Sequence, residues 1–141
     1  MTDHYINPTV PFNVNVNLIE KKKFVITGRP LAKAQRFTFN FQKGQMLDAT
    51  NIAFHFDVRY DDGVIVMNYM TNGQWGPEIR PNVFPFSKTE QFTLEILVDS
   101  EMYTVDVNDV EVAQFQHQRP IQLVDAFVIV GDVFLSDVTI Q

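Results

Sequence analysis

Apolar and polar residues alternate in short stretches along the whole chain. The clearest stretches are 37–41, which reads FTFNF, and 54–59, which reads FHFDVR. Alternation with a period of two is typical of strands that bury one face, and no segment of 10 or more residues has a convincing helical period. The pattern predicts a short helical turn at 119–123 and strands at 13–18, 24–27, 37–41, 54–59, 64–70, 92–96, 103–107, 110–115, 126–130 and 133–140.

Dipeptides that favour tight turns separate these strands. They are Asp62-Gly63, Asn72-Gly73, Asn108-Asp109 and Gly131-Asp132. Ten or eleven short strands with no helices between them imply antiparallel pairing in a sandwich or a barrel. We therefore predict an all-β fold that forms one domain over 1–141, with its core at about 10–141.

Composition narrows the class of protein. A chain of 141 residues with 45% hydrophobic and 20% charged residues fits one well-packed domain. The absence of cysteine excludes a disulfide scaffold, a cysteine nucleophile and a cysteine-ligated zinc. A net charge of −6 argues against nucleic acid as a partner, since phosphate binding relies on clustered lysine and arginine.

The sequence also bears on location and cofactors. The N-terminal segment has no basic stretch followed by a continuous apolar run, so we do not expect a signal peptide. No run approaches the roughly 18 apolar residues of a membrane span, and the default expectation is a cytoplasmic protein without membrane insertion. His4, His55 and His117 are far apart, and no acidic calcium loop is present. We therefore expect no metal site and no other cofactor.

A row of polar side chains follows the strand predicted at 54–59. His55, Asp57 and Arg59 share the face opposite the apolar residues of this strand. Residues on the same face lie about 6.6 Å apart, so the row spans about 13 Å, the length of a disaccharide. Arginine and histidine donate hydrogen bonds to sugar oxygens, and aspartate accepts them from hydroxyl groups. The row therefore suits a sugar, although alone it would more often be a solvated strand face.

A hairpin through Asp62-Gly63 adds a fourth polar residue to this face. If these two residues form the turn, residues whose numbers sum to 125 lie opposite one another. Asp57 then faces Asn68. A longer loop would shift this register.

The segment 75–80, which reads WGPEIR, supplies further candidates. Trp75 is the only tryptophan, and its flat ring can stack on the C–H surface of a sugar. Glu78 and Arg80 share a face and can hold each other while both bind a ligand. In a regular strand Trp75 and Glu78 would lie on opposite faces, so a bulge at Gly76-Pro77 is required to bring them together.

Together these residues resemble the galectins, the family of β-galactoside-binding lectins. The family pattern is His-x-Asn-Pro-Arg, then Asn, then Trp-Gly-x-Glu-x-Arg, and the chain has HFDVR at 55–59, Asn68 and WGPEIR at 75–80. The resemblance implies a two-sheet antiparallel β-sandwich of the jelly-roll, concanavalin A-like type, with the sugar on the concave sheet. It implies a lectin that is not an enzyme and that binds β-galactoside glycans of glycoproteins or glycolipids without a metal. The implied binding residues are His55, Asp57, Arg59, Asn68, Trp75, Glu78 and Arg80.

The resemblance also implies roles for these residues. His55 and Arg59 would hold the axial 4-hydroxyl of galactose, and Asn68 and Glu78 would hold its 6-hydroxyl. Trp75 would stack on the ring, while Arg59, Glu78 and Arg80 would reach the second sugar.

Two residues depart from the family pattern. Asp57 replaces its Asn, and Val58 replaces its Pro. Aspartate keeps an acceptor but loses the amide donors, so we expect Asp57 to accept from the 4-hydroxyl while its neighbours donate. The departures leave the preferred second sugar undetermined.

Two other functions remain open. A glycosidase needs two carboxyls either about 5–5.5 Å or about 6.5–9.5 Å apart, and Asp57 and Glu78 are the available pair. Neither has an obvious neighbour that would raise its pKa, and the Glu-x-Asp-x-x-Glu motif of sandwich-fold glycosidases is absent. The second alternative is a galectin-like protein that has lost galactoside binding and acts through protein contacts. It rests on the Asp57-Val58 departures.

Assembly and export are further expectations. The first strand and the last, 133–140, are expected at sheet edges, where strands of two copies pair easily, which is compatible with a homodimer. The galectin resemblance also implies that export without a signal peptide is open to such a protein.

Overall fold

Residues 2–141, which the computed structural model describes, fold into two antiparallel sheets of six strands each. The first sheet has the strand order β1-β12-β3-β8-β9-β10, and the second has the order β2-β11-β4-β5-β6-β7. The strands are β1 (Asp3–Ile6), β2 (Phe12–Asn15), β3 (Lys23–Pro30), β4 (Arg36–Gln42), β5 (Ile52–Arg59), β6 (Val64–Thr71), β7 (Gln74–Trp75), β8 (Phe92–Val98), β9 (Met102–Val107), β10 (Val110–Gln116), β11 (Ala126–Gly131) and β12 (Val133–Ile140). The predicted two-sheet antiparallel β-sandwich is confirmed.

Aromatic side chains from the inner faces of both sheets form the core. Tyr103 of the first sheet stacks on Phe41 and Phe54 of the second, with ring centroids 5.4 and 4.6 Å apart. Burial of each large apolar side chain contributes roughly 1.5–3 kcal/mol, so the phenylalanines of β4 and β5 are committed to the interior. The polar residues that alternate with them consequently lie on the outer face of the second sheet.

A β-bulge in β5 allows its apolar residues to face the core and its polar residues to face outward. The pairing of β5 with both neighbouring strands shifts by one residue after Ile52, which makes Ala53 the extra residue. Ala53 and Phe54 are both buried in the core. From His55 onward the polar positions return to the outer face.

The structure has two strands that the sequence did not predict, and one strand predicted at a sheet edge is not at an edge. β1 and the two-residue β7 were not predicted. β1 pairs along β12, with Asp3 opposite Ile140. The strand predicted at 133–140 is therefore an interior strand of the first sheet, and β1 forms that edge.

The helical turn predicted at 119–123 is present as the 3₁₀ helix Ile121–Leu123. Nothing helical within residues 2–141 has the length and apolarity that crossing a membrane requires.

Candidate functional site

A shallow pocket of about 90 Å³ lies on the outer face of the second sheet. Its lining comes from β4, β5, β6, β7 and the segment that follows β7. The lining residues are Arg36, His55, Arg59, Val66, Asn68, Trp75 and Glu78. Five of them were predicted from the sequence, whereas the predicted Asp57 and Arg80 do not line the pocket.

The β5–β6 hairpin places Asn68 opposite His55, not opposite Asp57 as predicted. Arg59 pairs with Val64, so the loop has the four residues 60–63 in place of a two-residue turn. The predicted register was wrong by two residues. Because two is an even number, each side chain still lies on the face predicted for it.

The segment after β7 contains the irregularity that the Trp75-to-Glu78 spacing required. Trp75 pairs with Met70, but Ile79 pairs with Met67. Four steps along this segment therefore match three steps along β6, which leaves one extra residue. The shift brings Trp75 and Glu78 to the same pocket.

Asn68 stabilises this irregular segment. Its Nδ2 donates to the backbone oxygen of Gly76 at 2.9 Å, and its Oδ1 accepts from the backbone N–H of Tyr69 at 2.8 Å. A Cβ at position 76 would lie 2.4 Å from the Tyr69 ring, so a larger residue there would have to displace this side chain. Asn68 thus fixes the approach of Trp75 and keeps one amide N–H for a ligand.

The structure corrects the role expected for Asp57. Its side chain has no exposed surface, and both carboxylate oxygens are occupied. Oδ1 accepts from Arg36 Nε at 2.8 Å and from Thr38 Oγ1 at 2.9 Å, while Oδ2 lies 2.7 Å from both Arg36 Nη2 and Arg59 Nε. Asp57 lies beneath the pocket, and its acceptor positions are used by these donors.

The same contacts fix its charge. Burial acts to raise the pKa of Asp57, but the hydrogen bonds from Arg59, Arg36 and Thr38 outweigh it, and the pKa lies below its ordinary value. The hydrogen bond to Asp57 in turn raises the pKa of Arg59. Asp57 is therefore a carboxylate and Arg59 a cation throughout the physiological pH range.

His55 faces the pocket as a neutral acceptor, not as the donor expected from the sequence. Its Nδ1 donates to Asn40 Oδ1 at 2.7 Å, which leaves Nε2 without a proton. Burial is the main reason that its pKa falls from 6.5 to about 4, against the opposing effect of Asp57. A ligand hydroxyl can accordingly donate to Nε2.

Trp75 and the Glu78–Arg80 pair form the exposed rim. Trp75 is 48% exposed, and its ring centroid lies 4.7 Å from that of His55. Arg80 donates through Nε and Nη2 to the single oxygen Oε2 of Glu78, at 3.1 and 3.0 Å. The Oε1 atom of Glu78 and one face of the indole are thereby left for a ligand.

Comparison with known proteins identifies the family. The family model described as galactoside-binding lectin matches residues 9–140. The chain belongs to this family, the galectins. Rat galectin-4 is 35% identical over 94% of this chain and 41% of its own length, and the 32 kDa beta-galactoside-binding lectin of Haemonchus contortus is 28% identical over 94% of this chain and 47% of its own. The chain thus spans less than half the length of these relatives.

Solved galectin structures have the same fold. A crystal structure of the Caenorhabditis elegans galectin LEC-6 superposes with a TM-score of 0.89 at 25% identity, covering 98% of this chain and 95% of that one. Sheep galectin-11 in complex with glycerol superposes with a TM-score of 0.84 at 30% identity, covering 92% of this chain and 96% of that one.

Three site residues of this galectin were not predicted. Arg36, Thr38 and Asn40 lie on the outer face of β4, and they contact Asp57 or His55. The alternation of 37–41 already indicated that Thr38 and Asn40 face away from the phenylalanines. What the sequence did not reveal is that β4 lies beside β5.

A groove of about 350 Å³ adjoins the pocket and shares Arg36, His55 and Trp75 with it. Apolar side chains form much of its remaining wall, namely Leu47, Ala49, Ile52, Met70 and Val130. The pocket of this galectin is therefore open at one side toward a longer ligand.

The carboxylates of the site do not resemble a glycosidase pair. Asp57 is enclosed and ionised, so it offers neither a proton to a leaving group nor an accessible nucleophile. Among residues 2–141, no cluster of three or more histidine and acidic side chains is arranged to hold a metal ion.

Proposed function

We propose that the chain binds β-galactosides without covalent chemistry in the pocket on the outer face of the second sheet. The observation that carries this proposal is that His55, Arg59, Asn68 and Glu78 line one pocket with the half-exposed ring of Trp75 at its rim. Family membership supports the same class of ligand.

The polar groups of the pocket match the chemistry of sugar hydroxyls. A hydroxyl donates one hydrogen bond and accepts others, so a site that alternates donors and acceptors can use each hydroxyl fully. Arg59 and the free N–H of Asn68 donate, whereas His55 Nε2 and Glu78 Oε1 accept. Charged partners shorten and strengthen such bonds.

The stereochemistry of galactose fits this arrangement. Its axial 4-hydroxyl would donate to His55 Nε2 and accept from Arg59, and its 6-hydroxyl would lie between Asn68 and Glu78. The C–H surface on the other side of the ring would stack on Trp75. No ligand contact is assigned to Asp57, and Arg80 is assigned to holding Glu78.

Isothermal titration with lactose and with cellobiose tests the proposal. The terminal sugar of cellobiose is the 4-epimer of that in lactose. A difference in affinity between the two sugars therefore reports on the 4-hydroxyl, which is assigned to His55 and Arg59. We expect lactose to bind at least roughly tenfold more tightly, with no effect of EDTA. Equal binding of the two sugars would contradict the assigned roles. Failure of every β-galactoside on a glycan array would favour a galectin that acts through protein contacts instead.

A further inference from the structure

The buried carboxylate of Asp57 lies between two arginines that line the pocket. We propose that Asp57 is a positioning residue that fixes Arg36 and Arg59 as a pair of hydrogen-bond donors, and that Arg36 thereby contacts the ligand. The contact of Arg36 with ligand rests on the proposed function, whereas the pairing of the two arginines is a property of the free protein.

The contacts with Asp57 orient both guanidinium groups. Arg36 uses Nε on Oδ1 at 2.8 Å and Nη2 on Oδ2 at 2.7 Å, a two-point contact that fixes the plane of the group. Arg59 uses Nε on Oδ2 at 2.7 Å. An arginine has five N–H donors, so these contacts leave three on Arg36 and four on Arg59.

The backbone of Arg36 is held as firmly as its side chain. The Asp132 carboxylate accepts from the backbone N–H groups of Gln35 and Arg36 at 2.9 and 3.3 Å, and the Asp132 N–H donates to the Arg36 oxygen at 2.9 Å. Gly131 packs against the same oxygen so closely that a Cβ would lie 2.5 Å from it. Arg36 is therefore fixed at both ends.

Electrostatics explains why an aspartate lies here. Two guanidinium groups that meet on one acceptor repel each other, and a carboxylate enclosed between them offsets this repulsion. The Asn of the family pattern would supply no charge and would point amide N–H groups at other donors. The departure at Asp57 is thus matched by Arg36, whose side chain is half-exposed at the pocket surface.

Arg36 lies where a specificity-determining residue would act. It lines both the pocket and the adjoining groove, so its free donors are placed at the junction between them. A ligand that extends from the pocket into the groove would lie beside the residues that line both, namely Arg36, His55 and Trp75.

A double-mutant cycle on lactose binding tests the pairing. We expect Asp57→Asn to weaken binding roughly tenfold and Arg36→Met to weaken it several-fold, while the double variant binds no worse than Asp57→Asn alone. The matched control is Arg29→Met, because Arg29 is an exposed arginine on β3 of the other sheet. This variant should bind lactose as tightly as the original protein. Additive losses, or an unchanged affinity in Asp57→Asn, would overturn the proposal.

Arginine Nε–H signals in the nuclear magnetic resonance spectrum of the ligand-free protein give an independent readout. The signals of Arg36 and Arg59 should be resolved and slow to exchange with water, and Asp57→Asn should make both exchange at least roughly tenfold faster. If Asp57→Asn does not fold, the Arg36→Met variant decides, provided that it stays folded at the temperature of the titration: it must then weaken lactose binding, and unchanged binding would overturn the contact of Arg36 with the ligand. If lactose does not bind at all, the proposed function fails, and the exchange rates alone decide whether Asp57 fixes the two arginines.

Discussion

The Nδ1 atom of His55 lies 2.7 Å from the Oδ1 atom of Asn40, and this contact leaves Nε2 of His55 as an acceptor. Because burial lowers the pKa of His55 to about 4, the neutral ring persists well below neutral pH. We expect lactose affinity to stay constant from about pH 8 to pH 5.5 and to fall as the pH approaches 4. Titration calorimetry across this range measures it.

Stability should respond to pH over a different range. The unfolded chain binds a proton at His55 near pH 6.5, and the folded chain does so only near 4. Between these values the unfolded state holds more protons, so stability falls as the pH is lowered through this window.

The variant Asn40→Asp tests the predicted pH dependence of lactose affinity. Its added charge should raise the pKa of His55 and move the loss of affinity to higher pH. An affinity midpoint near 6.5 in the original protein would contradict the buried neutral imidazole.

Replacement of Trp75 should separate binding from folding. Because Trp75 is half-exposed, Trp75→Ala should leave the melting temperature within a few degrees of the original. Loss of the stacking surface should weaken lactose binding roughly tenfold or more. Phe134→Ala, which removes an exposed aromatic ring from the first sheet, is the control that should leave binding unchanged. A comparable loss in both variants would contradict the assigned role of Trp75.

Gly131 should be far less tolerant of alanine than Gly44, although both have positive φ. At position 131 a Cβ would lie 2.5 Å from the Arg36 oxygen and 2.7 Å from Phe37 Cα, whereas nothing lies within 4 Å at position 44. Gly44→Ala should cost about 1–2 kcal/mol for its backbone conformation alone. Gly131→Ala should cost more in chemical denaturation and should also weaken lactose binding, since it displaces Arg36. Equal destabilisation by the two variants would rule out the steric account.

Glu78→Gln should reduce affinity with little effect on stability. The Glu78–Arg80 ion pair is exposed on both sides, and such pairs contribute little to folding. The amide keeps the shape of the side chain but removes its negative charge. That charge holds Arg80 and strengthens the hydrogen bond to a ligand hydroxyl. Titration calorimetry should show several-fold weaker lactose binding for Glu78→Gln. The control Glu95→Gln, on the first sheet, should bind lactose as tightly as the original protein. Retained affinity in Glu78→Gln would contradict the contact assigned between this carboxylate and the ligand.

The alternation of 54–59 was enough to predict that His55, Asp57 and Arg59 share a face. Strand geometry makes this a local property, and it survives a register error of two residues. The order of the strands is not local. Arg36 lies 21 residues before the Asp57 that it contacts, and no pattern within β4 reveals that β5 is its neighbour.

The enclosure of Asp57 was unpredictable for the same reason. Its burial depends on donors from Arg36 and Thr38 on β4, so its role follows from the pairing of strands and not from its own segment. The β1 strand was missed because DHYI at 3–6 has no clear alternation of apolar and polar residues. It forms because β12 offers an unpaired edge.

The pairing of β1 with β12 has a practical consequence for presenting the pocket. Asp3 lies opposite Ile140, so both described ends of the chain lie side by side on the first sheet, while the pocket lies on the outer face of the second. An affinity tag, a surface anchor or a fused protein attached beside Asp3 or Ile140 would therefore lie on the sheet that does not carry the pocket. Immobilisation through this sheet should therefore leave the pocket accessible from solution.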